Sequence, residues 1–140
     1  MTSQIDDTSE VEGLVKVVRE ALHAMDLKFE FVDEAQCFNL AFVSNEREIG
    51  LQVYCGPSYL TLLAFLENSQ IENSPALLKT ANDLTWRLPF GNFEVHPRKG
   101  LCFKCGNYMS SVPDRDFVEY LVSFVVETFD TEINNIKGRG

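Results

Sequence analysis

The spacing of apolar residues changes from a helical to a strand period near residue 27, and this change limits the chain to folds that combine both elements. Before it, apolar side chains recur every three or four residues, at Val11, Leu14, Val15, Val18, Leu22 and Met25. After it, Leu27, Phe29 and Phe31 alternate with Lys28 and Glu30, as in a strand with one side in water. The sequence therefore predicts a helix over residues 10–25 that is followed directly by a strand.

Ser9 and Glu12 have the spacing of a capping box, in which two side chains bond backbone N–H groups of the first helical turn. The pair predicts that the first helix begins at Ser9. Residues 1–8 are then expected to form a flexible N-terminus.

Three further strands are predicted after the first one. Alternation of apolar and polar residues continues through residues 38–42 and 49–55, with polar turn residues between them. Residues 59–66 are apolar on both faces, which predicts a strand that is either central in the sheet or covered on its second side. Because the connections are short, these strands are expected to form an antiparallel meander.

The stretch from residue 73 to 105 predicts a helix followed by a hairpin. Ser74 can cap a helix that begins at Pro75, and one apolar stripe then runs to residue 88 through Leu77, Ala81, Leu84 and Leu88. The hairpin strands are residues 92–96 and 101–105, around the turn Pro97-Arg98-Lys99-Gly100.

The last predicted helix, residues 114–135, begins at the capping residue Asp114 and is apolar around most of its circumference. It should pack against the sheet and against a second surface, either another helix or a second subunit. Residues 136–140 are expected to be a flexible tail. The whole pattern predicts a single α+β domain over residues 9–135, with three helices and an antiparallel sheet of five or six strands in the order α-β(3-4)-α-β(2)-α.

The charge of the chain excludes one class of partner. Twelve basic and twenty-one acidic residues give a net charge of -9, without a run of Lys or Arg, so nucleic acid is not expected to bind. The N-terminus lacks the basic and apolar parts of a secretory signal, and no apolar stretch approaches the ~18 residues of a membrane span. We predict a cytoplasmic protein, away from the membrane, with four reduced cysteines.

Three short motifs connect the middle helix to the hairpin: Thr80-Ala81-Asn82-Asp83-Leu84, Gly91-Asn92-Phe93-Glu94-Val95 and Gly100-Leu101-Cys102-Phe103. Together with the element order they resemble the YbjN family, described as sensory transduction regulators of bacteria, within the type III secretion chaperone-like fold. The resemblance covers residues 10–130, and its motifs are structural rather than chemical. It implies a non-enzymatic protein-binding module, a chaperone-like adaptor or regulator that forms a homodimer and needs no cofactor.

Three residues are predicted to contact the protein partner. Asn82 matches an Asn that the YbjN family carries late in this helix, where an amide can either satisfy loop carbonyls or contact a ligand. Trp86 and Phe90 bracket the end of the helix, where they either pack in the core or form an exposed aromatic pair suited to a partner groove.

Cys102 and Cys105 form a CxxC motif, which supports the alternative of a zinc or thiol protein. In an extended strand, side chains three residues apart point to opposite faces, so Cys105 should lie in the core and Cys102 outside with Lys104. A zinc site also needs about four ligands. The remaining candidates form no second pair in the sequence: Cys37, Cys55, His23 and His96.

An acidic calcium-binding protein is the other alternative. The weak candidate ligands are Asp114, Asp116, Glu119, Asp130 and Glu132. Asn135 stands where a calcium loop beginning at Asp130 requires Gly, and helix capping accounts for acidic residues at helix starts equally well. Neither His23 nor His96 neighbours a nucleophile in the sequence, so no enzyme is predicted.

Overall fold

The structure is a computed structural model that describes residues 3–44, 47–67, 74–88 and 91–139. Within these residues the helices are α1 (Ser3–Ala24), α2 (Pro75–Arg87) and α3 (Arg115–Arg139). The strands are β1 (Glu30–Val32), β2 (Cys37–Ser44), β3 (Arg47–Gly56), β4 (Tyr59–Leu66), β5 (Asn92–His96) and β6 (Gly100–Tyr108). The α+β class and the predicted order of elements are confirmed, with four strands before α2 and two after it.

The six strands of the described residues form one antiparallel sheet in the order β1-β2-β3-β4-β6-β5. Strand β4 lies between β3 and β6, so that Leu62 faces Val53 on one side and Cys105 on the other. Of the two alternatives for residues 59–66, the structure therefore shows the central strand. Strands β1 and β5 are the two edges of the sheet.

Helices α1 and α3 pack against each other and against one face of the sheet. The antiparallel register places alternate residues of β3, β4 and β6, such as Leu51, Leu62 and Phe103, on this face, where they are buried. Helix α3 contributes its buried stripe Val118, Leu121, Val122, Val125, Phe129 and Ile133. The second surface that α3 was predicted to need is thus supplied by α1.

Helix α2 begins as predicted, and its buried side faces the edge of the sheet. The Ser74 Oγ accepts a hydrogen bond from the Leu77 N–H at 3.1 Å, and Pro75 is the first helical residue. The buried side of the helix, which carries Ala81 and Leu84, faces the hairpin, so α2 lies against the edge strand β5.

The sheet face opposite α1 and α3 is termed the open face; it carries Gln52 and Tyr54 on β3, Thr61 and Leu63 on β4, and Lys104 on β6. Among the described residues no helix packs on this face. At one end, the Phe65 ring lies across Gly50, where a Cβ atom would approach ring carbons to 2.6 Å. The Lys99 Nζ stands 4.2 Å from the centroid of the same ring. This end of the open face is therefore closed by packing.

Several predicted boundaries are wrong. Helix α1 begins at Ser3 rather than Ser9, so Ser9 and Glu12 lie inside a helix instead of capping it. Strand β1 begins at Glu30 rather than Leu27, because α1 ends through a left-handed residue at Asp26 (φ 58°) and the chain needs residues 27–29 to reach the sheet. Leu27 and Phe29 nevertheless pack against the core.

The last two elements are longer than predicted. Strand β6 continues to Tyr108 because β4 pairs with it along nearly its whole length, and the rising polarity after residue 105 concealed this. Helix α3 begins after Asp114, whose carboxylate accepts the Phe117 N–H at 2.9 Å, as predicted, but it extends to Arg139 rather than residue 135.

We expect Gly50→Ala to destabilise the fold by about 1–3 kcal/mol, because the added methyl group overlaps the Phe65 ring and the Glu67 carboxylate. Gly106→Ala is the matched control in another strand, where the nearest heavy atom to a new Cβ is 3.8 Å away. It should be neutral or stabilising by up to about 1 kcal/mol. Urea unfolding midpoints of the two variants measure the difference. Equal midpoints would contradict the close packing of the Phe65 ring on Gly50.

Candidate protein-binding surface

A stripe of exposed residues follows the outer side of α2. Leu78, Asn82 and Trp86 are spaced four residues apart and therefore lie one above the other on the helix. Leu78 is 58% exposed and Trp86 is 82% exposed, which is unusual for large apolar side chains. We call these three residues the α2 stripe.

A groove of ≈ 280 Å³ runs between α2 and β5. Leu78, Ala81, Asn82 and Thr85 line it from the helix, and residues 92–95 line it from the strand. Two members of the α2 stripe thus form one wall of a concave surface, and Trp86 lies one helical turn beyond Asn82.

Thr85 fixes the distance between the two walls. Its Oγ1 accepts a hydrogen bond from the Phe93 N–H at 2.8 Å and lies 3.3 Å from the Phe93 carbonyl oxygen. The Phe93 backbone therefore points away from β6, at the outer edge of the sheet. In an antiparallel pair, the backbone N–H and C=O groups of successive residues point to opposite sides of the strand. Those of Val95, two residues after Phe93, therefore point to the same side as those of Phe93, into the groove.

A second cavity, of ≈ 470 Å³, lies on the open face and reaches the same edge strand. Its floor includes Thr61, Leu63 and Cys102, and Glu94 and Val95 line both this cavity and the α2–β5 groove. The two concave surfaces consequently meet at β5.

The predicted partner residues stand as follows. Asn82 and Trp86 lie on one exposed stripe, so neither belongs to the core; Phe90 lies outside the described residues. Leu78 and the wall formed by β5 were not predicted from the sequence. Leu78 could have been found from the helical period, since it falls off the stripe of Leu77, Ala81 and Leu84 on the same helix. The β5 wall depends on tertiary packing.

Comparison with known proteins bears on the fold. No family model matches the sequence, and no curated protein matches it. Among solved structures, the crystal structure of YbjN from E. coli, described as a candidate transcription regulator, superposes with a TM-score of 0.64 and 11% sequence identity. The superposition covers 89% of this chain and 92% of YbjN. The chain has a YbjN-like fold. The fold predicted from the order of elements and the three motifs is therefore confirmed.

In this YbjN-like fold the CxxC cysteines lie on opposite faces of β6, as predicted. Cys105 belongs to the core, whereas Cys102 shares the open face with Lys104. The prediction that Cys102 lies outside is wrong, however, because it is only 1% exposed: it is paired between Phe65 and Glu94, and its Sγ is 3.4 Å from the Gly100 carbonyl oxygen. Burial raises the pKa of the Cys102 thiol to about 11 and that of Cys55 to about 12.

Four of the five calcium candidates interact with other residues of this chain. The Asp130 carboxylate accepts from the Ser44 hydroxyl at 2.8 Å and pairs with Arg47 at 3.3 Å, and Glu132 pairs with Arg87 at 3.6 Å. Asp114 caps α3, and Glu119 pairs with Arg115 at 3.2 Å. Asp116 lies in the same first turn, about 20 Å along the helix from Asp130.

The candidate residues therefore do not converge on one point. Throughout the part of the chain that the structure describes, no three His, Cys, Asp or Glu side chains are grouped closely enough to hold a metal ion. Nor does any helix within the described residues have the length and apolar composition needed to cross a bilayer.

We expect Thr85→Val to destabilise the protein by about 1–3 kcal/mol, because an isosteric methyl group leaves the Phe93 N–H without its acceptor. Thr80→Val is the matched control, since the Thr80 hydroxyl bonds only the Ala76 carbonyl one turn earlier on the same helix. It should change stability by less than about 0.5 kcal/mol. Urea unfolding of both variants provides the measurement. If they prove equally stable, Thr85 does not hold α2 to β5.

Cys102 should react slowly with iodoacetamide in the folded protein. At pH 9 a thiol with the ordinary pKa of 9.0 is half ionised, whereas at a pKa of about 11 only about 1% is the reactive thiolate. The folded protein should therefore label Cys102 about 50-fold more slowly than the chain in urea, and the rate should rise as the pH approaches 11. Peptide mapping by mass spectrometry follows the reaction, and equally fast labelling in both states would restore the thiol alternative.

Proposed function

We propose that this chain is a non-enzymatic protein-binding module, an adaptor or regulator that binds a partner protein through the α2 stripe and the α2–β5 groove. The single observation that carries this proposal is the exposure of Trp86 beside a concave surface. Tryptophan is the residue type most enriched among side chains that dominate binding energy, and burying it contributes several kcal/mol.

The composition of the surface supports the same function. Leu78 and Trp86 supply apolar area, Asn82 between them supplies an amide that can donate and accept hydrogen bonds, and the Val95 backbone faces the same groove. A centre of apolar side chains with a few polar groups is the usual anatomy of a protein interface.

The regulatory part of the proposal draws on the likeness to YbjN, described as a candidate transcription regulator. With a net charge of -9, this chain would act through protein contacts rather than by binding nucleic acid. We place it in the cytoplasm, in agreement with four buried free thiols, which suit a reducing compartment.

A homodimer forms part of the proposal. Phe117 and Tyr120 are exposed on α3, and the Tyr120 ring stacks on Phe124 at a centroid distance of 6.2 Å. These aromatic side chains lie on a different helix from the α2 stripe, so a second copy on α3 would leave the partner surface accessible.

Trp86→Ala should weaken partner binding by about 30-fold or more, which corresponds to the ~2 kcal/mol of a dominant interface side chain. Val43→Ala is the matched control, because Val43 is equally exposed, at 82%, but lies on β2 far along the sheet. Proteins from the native host that are retained by wild type and by Val43→Ala, and lost with Trp86→Ala, are then purified and titrated by calorimetry.

Trp86 also reports binding directly, since it is the one tryptophan of the sequence. Its fluorescence emission should shift to shorter wavelength when the purified partner covers it. An unchanged emission at saturation, or equal affinity for both variants, would overturn the proposed surface. The solution mass of the wild type, measured in the same buffer, tests the homodimer separately.

A further inference from the structure

The open face carries a cavity whose lining differs from that of the α2–β5 groove. The cavity there has a volume of ≈ 470 Å³, within the range of pockets that bind ligands in proteins. Leu63 and Cys102 form an apolar floor on the neighbouring strands β4 and β6, Tyr54 lines it from β3, and His96 and Pro97 line it from the hairpin. Such a cavity fits one large apolar side chain together with the chain that carries it.

The sides of this cavity are held in place by the protein itself. The Tyr54 hydroxyl donates to the Gln52 side chain at 2.9 Å, and the Gln52 amide donates to the Asn39 side chain at 3.2 Å. On the opposite side, the His96 Nδ1 accepts the backbone N–H groups of Arg98 and Lys99 at 3.0 and 3.2 Å. A binding surface that is already ordered loses little conformational entropy when it is occupied.

Charge is distributed unevenly between this region and the rest of the chain. Residues 91–108, which include both strands of the hairpin, carry three basic residues and one acidic residue, a net charge of +2. The other residues carry nine basic and twenty acidic side chains, a net charge of -11. The hairpin is thus a local positive region on an acidic protein, and it borders the cavity.

Lys104 is the basic residue that lines the cavity directly. Among the described residues no carboxylate lies within 4.0 Å of its ammonium group, so the cation is left for a partner to pair with. Glu94 is the acidic residue of the lining, and it opposes an anionic occupant. It stands at the edge strand, beside the α2–β5 groove.

We propose that the open-face cavity binds an acidic segment of the partner protein, with an apolar side chain on the floor of Leu63 and Cys102 and a carboxylate paired to Lys104. This inference rests on the proposed function, because it names the chemistry of the same partner. The shared residues Glu94 and Val95 let one extended segment pass from the α2–β5 groove around the edge of β5 into the cavity.

The probe is a fluorescein-labelled peptide of ten residues, Gly and Ser throughout except for a central Glu-Leu-Glu. Its binding is measured by fluorescence anisotropy at 0.15 M salt, where charges more than about 8 Å away are largely screened and the charges of the cavity dominate. The same peptide with Lys-Leu-Lys at its centre tests the sign of the charge, and one with Glu-Ser-Glu tests the apolar floor. Both should bind at least 5-fold more weakly, by roughly the contribution of one or two ion pairs or one buried side chain.

Three variants locate the site. Lys104→Gln should weaken binding of the acidic peptide about 3- to 5-fold, and Glu94→Gln should strengthen it about 2-fold because a repulsion is removed. Lys28→Gln is the matched control, since it gives the same net charge as Lys104→Gln at an exposed position outside the cavity. It should leave binding unchanged.

Backbone amide NMR shifts identify where the peptide lies: Thr61, Leu63 and Cys102 should move more than Leu78 and Asn82. The inference is overturned if no saturable binding occurs up to about 1 mM peptide. It is also overturned if the lysine peptide binds as well, or if Lys28→Gln weakens binding as much as Lys104→Gln. Self-association that Lys104→Gln abolishes would identify a second copy as the occupant and overturn the acidic segment. None of these results touches the Trp86 experiment, so the two proposals fail separately.

Discussion

The contact of three phenylalanine rings holds the edge of the sheet to the helical layer. Phe93 on β5 stacks on Phe129 of α3 at a centroid distance of 6.4 Å and packs at 4.9 Å against Phe103 on β6. Because Phe93 also bonds Thr85 through its backbone, the same residue fixes α2 to the edge of the sheet. The groove beside α2, and with it the proposed binding surface, depends on this one position in β5.

One-sided covering of the sheet explains where the remaining features lie. With α1 and α3 on one face, the strands bury Leu51, Leu62 and Phe103 against them, and the alternate residues of the same strands form the open face. An uncovered apolar face favours association. Here the hairpin turn folds over one end, where Lys99 covers Phe65, and the part between Tyr54 and His96 stays open as a cavity.

The features that follow from local chemistry could be predicted from the sequence. The cap at Ser74, the cap at Asp114 and the alternation along β2, β3 and β5 are each set by neighbouring residues, and the structure confirms them. The start of α1 could not be predicted in this way. Its first residues lack an apolar period, and the Ser9 and Glu12 signal also fits the interior of a helix.

The candidate site was predictable only in part, because exposure is a tertiary property. An aromatic residue at a helix end reads the same in sequence whether it enters the core or faces water, so Trp86 could be selected but not placed. For Cys102 the strand period correctly predicted its face of the sheet. Its burial on that face depends on Phe65, which is distant in the sequence, and on the backbone of the hairpin turn at Gly100. Neither is visible in the residues next to Cys102.

The position of β4 has a consequence for how the chain is made on the ribosome. Strands β1 to β4 are consecutive in sequence and leave the ribosome as a meander, whereas β6, which pairs with the other side of β4, begins 34 residues after β4 ends, at Gly100. Until β6 emerges, the apolar β4 is the outer strand of a four-stranded sheet, with unpaired backbone groups along its edge. The strand at the centre of the finished sheet is thus, during synthesis, an edge strand that can pair with another chain.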